Sequence, residues 1–429
     1  MKTTDATLVE VTETGPDWMR FRGGSRQLLL FALVGMVCVG ALLRVLSLNS
    51  PRRSPDEGNY TYQAGLVLHG GRAAFPTLIR DFERDISLPP PTRAGFLYVL
   101  AGIMALTGKM DVMAGVWLSC VASLLSLVLL ARIAWRFLDP VAAVFAVAFY
   151  AVSALPLMTG RRVWEDALVE MLTLFLLLTG FEIMRRAGHW LWSLAFAIAG
   201  GFCLTMKEVP AAVFFLISAC VLWTLFRTHR SKQLLIFSML WVAFVAAAIG
   251  WLVFLLGDAK LLIEFPHMTS TFLAGSAYSQ TYEGGSAMDL LHGFWVVSPF
   301  ATVCFPLGLT ALAVNHFGER QQTQHITILM AVFTLLFLAT AMFLPHHLNF
   351  RYLCPVFGMF YAIGGIGFSW AAGEIRERLP ASQRSIFLGC SIFALVFCAV
   401  GDYANFRIHF VQPDLQDLSL RMVLSGSNE

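Results

Sequence analysis

The sequence returns again and again to apolar runs of roughly 17–24 residues, separated by short charged junctions. Coiled as an α-helix at about 1.5 Å per residue, such a run matches a bilayer core of about 30 Å. In hydrocarbon every backbone N–H and C=O must be paired inside the protein, which leaves helices and closed barrels. A barrel needs alternating segments of about ten residues, whereas these runs are continuous. Only 13% of the 429 residues are charged and 57% are hydrophobic, against about 25% charged in a soluble domain. With a mean hydropathy of +0.69, the chain reads as an all-α polytopic membrane protein.

Twelve runs qualify, at roughly 27–48, 94–108, 112–131, 141–159, 166–184, 190–206, 209–226, 234–256, 291–315, 325–344, 351–371 and 385–401. The positive-inside rule tests which of them cross. Arg20, Arg22 and Arg26 place the start of the first run in the cytoplasm. Four later cationic junctions, Arg132/Arg136, Arg185/Arg186, Arg227/Arg230/Lys232 and Arg376/Arg378/Arg384, would face outward if all twelve crossed. Removing one crossing before residue 132 turns all four inward. The short run 94–108, which contains Gly95 and Gly102, is the natural one to remove, and it reads as a juxtamembrane helix at the outer interface. The expectation is about 11 transmembrane helices with the N-terminus in and the C-terminus out. Residues 1–26 form a cytoplasmic segment, 27–403 the membrane domain and 404–429 an external tail. Residues 49–111 and 257–290 are the two long external loops. The first run reads as a retained signal anchor, and the tail is too short for an external soluble domain.

The net charge of +3 is spread over the ends of the runs, which argues against a nucleic-acid partner. The eight cysteines all lie in apolar segments without metal-ligand spacing and read as small buried hydrophobes.

Chemistry concentrates at the junctions assigned to the outer face. In Ser54-Pro55-Asp56-Glu57 a capping box opens a short helix, with Ser as N-cap, Pro at N1 and Glu57 at N3. Glu57 therefore has a structural explanation. Asp56 is not needed for the box and is the candidate general base or metal ligand. In Arg161-Arg162-Val163-Trp164-Glu165-Asp166 two arginines break the positive-inside trend and Asp166 heads an apolar helix. They form an anion site with a second carboxylate, or a plain salt bridge. Lys207 in Lys207-Glu208-Val209-Pro210 costs about 2.5–3.5 kcal/mol at membrane depth and needs a partner, either Glu208 or a phosphate. Arg351, in Pro345-His346-His347-Leu348-Asn349-Phe350-Arg351-Tyr352, can donate bidentately to phosphate. The neighbouring His346 and His347 cannot share one metal on a helix. Arg93, after Pro89-Pro90-Pro91, faces either the site or the headgroups. Tyr278, Tyr282 and Glu283 in the second loop are candidates to touch a sugar.

These motifs, with Pro55-Asp56-Glu57 followed by Tyr60 and Ala64, the Pro-rich lead-in Pro89-Pro90-Pro91, Arg162…Asp166, Lys207-Glu208 and Arg351-Tyr352-Leu353…Pro355, resemble the GT-C glycosyltransferases. The likeness is to the group containing protein O-mannosyltransferases and lipid A aminoarabinose transferases, over roughly residues 27–360. It implies a sugar donor carried on a polyprenyl phosphate and a site on the non-cytoplasmic face. The first-loop acid, Asp56, would carry catalysis and Asp166 would be the second acid, sometimes with a divalent metal between them. Glu57, Arg93, Arg161, Arg162, Lys207, Arg351 and Tyr352 would bind substrate. The sequence departs from the lipid A transferases at Leu88, where they carry a lysine before the Pro-Pro step; Arg93 or Arg84 would stand in for it.

The expected function is inverting transfer of a sugar to a lipid, glycan or protein acceptor, with Asp56 as base, at the outer face of a bacterial inner membrane. The alternative is a lipid-linked sugar flippase or a secondary transporter using the same cations. The sequence shows neither the internal repeat nor the midplane charges common in transporters. A purely structural subunit would leave Asp56, Asp166 and Lys207 without a purpose.

Overall fold

The protein is described from a computed structural model, for residues 23–48, 54–84, 89–185, 189–316, 321–342 and 348–428. The readings placed on Arg20, Arg22, Leu88, Arg186, His346 and His347, and on most of segment 1–26, lie outside these residues. In chain order the helices are α1 (Gly23–Leu46), α2 (Pro55–Gly70), α3 (Phe75–Glu83), α4 (Ala94–Thr107), α5 (Val112–Phe137), α6 (Pro140–Val152) and α7 (Ala154–Thr159). There follow α8 (Asp166–Arg185), α9 (Trp190–Leu204), α10 (Glu208–Arg227), α11 (Ser231–Leu256), α12 (Leu261–Gly275) and α13 (Ala277–Tyr282). The chain closes with α14 (Ala287–Val297), α15 (Pro299–His316), α16 (Gln321–Met342), α17 (Cys354–Arg378), α18 (Arg384–Phe406) and α19 (Leu420–Ser425).

Polar residues mark where helices begin. The capping box at Ser54 and Glu57 opens α2. Asp111 accepts from Ala114 N at the head of α5, and Asp139 accepts from Val141 N and Ala142 N at the head of α6. Each occupies first-turn N–H groups that would otherwise lack a partner. Gly108 and Gly257, at φ 64° and 81°, close α4 and α11 in the left-handed conformation.

Within the described residues all twelve apolar runs are helical, but two are broken. The run 141–159 divides at Ser153 into α6 and α7. The run 291–315 bends by 115° between α14 and α15. Six helices among the described residues are long and apolar enough to cross a membrane, or seven with that bent pair counted as one. Four shorter apolar helices accompany them, so the expected eleven crossings are not all carried by full-length helices. Helix α4 has 14 residues, about 21 Å, and is too short to cross alone. Ala94, Phe96, Leu97 and Leu100 on it are fully buried.

Helices α8 and α17 form the interior of the bundle. Their neighbours approach at glycines, the usual device where helices must pack without a hydrophobic drive between them. A Cβ on Gly308 of α15 would stand 2.0 Å from Ile363 O of α17, and one on Gly365 of α17 would stand 2.5 Å from Ala142 O of α6. Large apolar side chains such as Phe31, Leu42, Leu235, Met239 and Phe397 point outward as a lipid-facing belt.

The segments expected to be external fold onto one end of the bundle. Loop 49–111 supplies α2, α3 and α4, and loop 257–290 supplies α12 and α13. Helix α18 runs to Phe406, past the expected boundary at 403, and continues as a π-helical turn over Arg407–Val411. The chain then returns to the stretch before α17. Phe350 N donates to Leu418 O and Leu420 N to Leu348 O, both at 2.9 Å, around a bridge between Asn349 and Ser419. The last residues are thus built into the bundle end, with Leu415, Leu418, Leu420 and Val423 fully buried.

Candidate active site

Five helices start at this end beside one cluster of charges. Asp56 lies in the first turn of α2, Arg93 is the N-cap of α4, Asp166 opens α8 and Lys207 is the N-cap of α10. Arg351 sits on the 3₁₀ turn Phe350–Leu353 that leads into α17. The unpaired N–H groups and positive dipole ends of these helices favour negative charge here.

The first layer is structural. Glu57 is wholly buried. Its carboxylate accepts from Ser54 N at 2.8 Å and from Val163 N at 3.0 Å, and it pairs with Arg162 at 3.3 Å. Arg162 also reaches Asp414 at 3.3 Å and Leu415 O, and Arg161 lies 3.6 Å from Asp414. Trp164 Nε1 donates to Ser54 Oγ at 3.2 Å. This layer locks the 161–166 junction to the head of α2. It changes the reading of Glu57, Arg161 and Arg162 as substrate-binding groups. All three are at most 1% exposed and sit inside the protein, one layer behind the accessible surface.

The second layer carries the remaining charges. Arg351 Nε donates to Asp166 Oδ2 at 2.7 Å and Nη1 to Asp56 Oδ2 at 2.6 Å, while Asp417 Oδ1 lies 3.4 Å from Nη1. The guanidinium carbon stands 4.3 Å from the Trp164 ring centroid. Lys207 Nζ lies 2.9 Å from both Glu165 Oε1 and Asp166 Oδ1. Its partners are therefore these two acids rather than Glu208. Arg93 Nη1 donates to Glu165 Oε1 at 2.7 Å and to Tyr60 Oη at 2.6 Å, so it faces the site and not the headgroups. A backbone bond of 2.8 Å from Gly95 N to Thr205 O holds the start of α4 beside Lys207. Tyr352 packs its ring 5.4 Å from Lys207 Nζ.

Burial separates the carboxylates. Asp166 and Glu165 are fully enclosed, whereas the Asp56 side chain is 40% exposed at the open edge. Burial in the cleft raises the Asp56 carboxyl above its ordinary value, with Arg351 acting against that rise and Asp417 adding to it. For Glu165 burial also acts upward, but Lys207, Arg93 and Arg351 outweigh it and hold the group well below the carboxylate range.

Asp56 and Asp166 converge, as expected for the two acids of one site, but the Arg351 guanidinium lies between them. With both carboxylates committed to it and Asp166 also to Lys207, the pair as it stands does not fit a divalent cation. Among the described residues no group of three His, Cys, Asp or Glu side chains has metal-holding spacing.

Sequence reasoning gave no role to Glu165, Asn349, Asp414 or Asp417. The signal for Glu165 was available, since three cations in an apolar setting require matching acids. For the tail it was the pattern Asp414-Leu415-Gln416-Asp417-Leu418, whose leucines three apart imply a buried face. The second-loop residues bond to the segments around the site, while Tyr278 remains 39% exposed. Tyr278 Oη donates to Asp417, and Glu283 accepts from Ser279 Oγ at 2.8 Å and Asn349 Nδ2 at 3.1 Å.

Residues 90–256 match the family described as dolichyl-phosphate-mannose-protein mannosyltransferase. No curated protein matches the sequence. Among solved structures, the fold resembles the Archaeoglobus fulgidus oligosaccharyltransferase in its apo form, with a TM-score of 0.61 at 10% identity. That likeness covers 88% of this chain and 56% of the other, so this chain spans about half the length of that relative. The same enzyme in complex with Zn and sulfate matches at a TM-score of 0.60 and 11% identity, over 87% of this chain and 53% of that one. ArnT from Cupriavidus metallidurans bound to undecaprenyl phosphate matches at 0.51 and 14% identity, over 92% of this chain and 74% of that one.

Proposed function

We propose that this chain, an integral membrane protein with the GT-C fold, is a glycosyltransferase that moves a sugar from a polyprenyl-phosphate donor to an acceptor hydroxyl. The observation that carries this reading is the isolation of Asp56. It is the open carboxylate of a charge cluster whose other members are at most 12% exposed. Asp56 would accept the acceptor's proton as its oxygen attacks the anomeric carbon, with inversion. The bond from that carbon to the phosphate oxygen breaks, and the polyprenyl phosphate leaves with the electron pair.

Arg351 couples the two events. While Asp56 is a carboxylate it holds Nη1 at 2.6 Å. Once Asp56 is protonated that hold weakens, and the guanidinium edge is released toward the phosphate as its charge develops. The convergent helix starts and Lys207 add to the stabilisation. A donor aimed at developing charge is worth about 3–4 kcal/mol in a transition state. Asp166 holds Arg351 and Lys207 in place from below.

The meeting of Asp56 with Asp166 and Arg351 supports placing all three junctions on one side of the membrane, which the arginine distribution marks as the non-cytoplasmic face. It also supports a non-crossing α4, since a twelve-crossing chain would put Asp56 opposite Asp166. In a bacterium this is the outer face of the inner membrane. The acceptor is a lipid, glycan or protein.

Asp56→Asn keeps the shape and removes the base. Transfer from labelled polyprenyl-phosphate sugars should fall by about 10²–10⁴-fold with the unfolding temperature in detergent unchanged. Transfer at the wild-type rate by this variant would overturn the assignment of the base.

A further inference from the structure

The tail contributes an acid to the centre of the site that the proposed reaction has not yet used. Asp417 is 12% exposed and held by four donors from three segments of the chain. Its Oδ1 accepts from Leu418 N at 2.8 Å and faces Arg351 Nη1 at 3.4 Å. Its Oδ2 accepts from Asn349 Nδ2 at 3.0 Å and from Tyr278 Oη. Asn349 in turn accepts from Arg351 N at 3.0 Å. Asp417 therefore touches the arginine's side chain directly and its backbone through one intermediary. The paired strand segment at Leu348–Leu420 and the seat of α19 fix the whole arrangement.

Arg351 thus shares one guanidinium among three carboxylates drawn from positions 56, 166 and 417. Two bonds are short, and the third is longer but lies on the same nitrogen that serves Asp56. We propose that Asp417 is a positioning residue for transfer: it aims Arg351 at Asp56 while sharing its charge, and so keeps Asp56 basic enough to take the acceptor's proton. This rests on the reading of Asp56 as the base.

The charges facing the Asp56–Arg351 pair from every packed element are Arg93 at α4, Glu165 and Asp166 at α8, Lys207 at α10, and Asp417 of the tail, with Glu283 and Tyr352 one step further out. Of these, Lys207 and Arg93 are already committed to Glu165, Asp166 and Tyr60. Asp417 is the acid that shares Nη1 with Asp56. Neutralising it leaves Arg351 to Asp56 and Asp166 alone, which favours the Asp56 carboxylate and weakens it as a base.

The test compares wild type, Asp417→Asn and Asp417→Glu as full chains in detergent. Asp417→Asn should lower kcat by about 10- to 100-fold with little change in the donor KM. The acidic limb of its pH–rate profile should move to lower pH, and Asp417→Glu should restore most of both. A loss of rate with an unmoved limb, or one that Asp417→Glu does not rescue, would make Asp417 merely structural and overturn the proposal. A second reading needs no transfer at all. The Asp56 carboxyl band, isolated as the infrared difference between each protein and its Asp56→Asn counterpart, should titrate at lower pH in Asp417→Asn. An unchanged titration would overturn the proposal even if no donor is turned over. If the titration shifts while wild type transfers no sugar, the role of Asp417 stands and the transferase reading falls.

Discussion

A charge placed in an apolar sequence must be answered by another, and this decides which residues of the site were legible. Asp56, Asp166, Lys207 and Arg351 stand out because each interrupts or borders an apolar run where an unpaired charge is costly. Their partners are harder to read, since pairing is set by the path of the chain. Lys207 has Glu208 beside it in sequence yet bonds to Glu165 and Asp166 across the helix bundle. Glu57 shows the converse: its capping role is local and visible from Ser54 three residues earlier, while its hold on Val163 N and Arg162 is not. The pH dependence of transfer belongs at this scale. In the proposed reaction the active form of Asp56 is the carboxylate, and burial raises its pKa in the folded protein. The rate should therefore fall as pH drops through that raised value, beginning above the pH of about 3.9 at which a solvated aspartate protonates. A kcat profile flat down to the solvated range would show that Asp56 is not the titrating group.

Hydropathy locates helices well but says little about where they break. Run 141–159 looks like one span, yet Ser153 and Pro156 split it into α6 and α7. In run 291–315 the Ser298-Pro299 step turns the chain through 115°. Proline lacks an N–H and disfavours a helical residue before it, so both breaks have a signal in the sequence that a count of apolar residues passes over. Glycine is the complementary case: its spacing is visible, but which helix it admits is not. Gly308 lets α15 approach the backbone of α17 at Ile363. Gly308→Val should destabilise the bundle by about 1–3 kcal/mol, read as a lower unfolding temperature in detergent. Because α17 carries the Arg351 turn at its head, transfer should fall with it. An unchanged unfolding temperature would mean the two helices do not pack at this distance.

At the scale of the molecule, the division into membrane domain, loops and tail reflects sequence order more than the folded object. Residues 54–84, the 161–166 junction and the segment after α18 are one structure at one end of the bundle. The sidedness this implies is open to measurement. Single cysteines at Glu83 and Lys232, both exposed and introduced into a cysteine-free background, should react with a membrane-impermeant maleimide from opposite faces. Glu83→Cys should label in intact cells and Lys232→Cys only after permeabilisation; labelling of both in intact cells would break the topology. The return of the tail to Arg351 also has a consequence for how the molecule is made. Asp417 lies beyond α18, so the ring of acids around Arg351 stays open until the segment after that helix has been made. A nascent chain held at the insertion machinery can have every helix in the bilayer and still lack the residue that completes the ring. Under the proposed reaction, full competence would therefore arrive only when the tail reaches Arg351, and shorter nascent chains would transfer slowly.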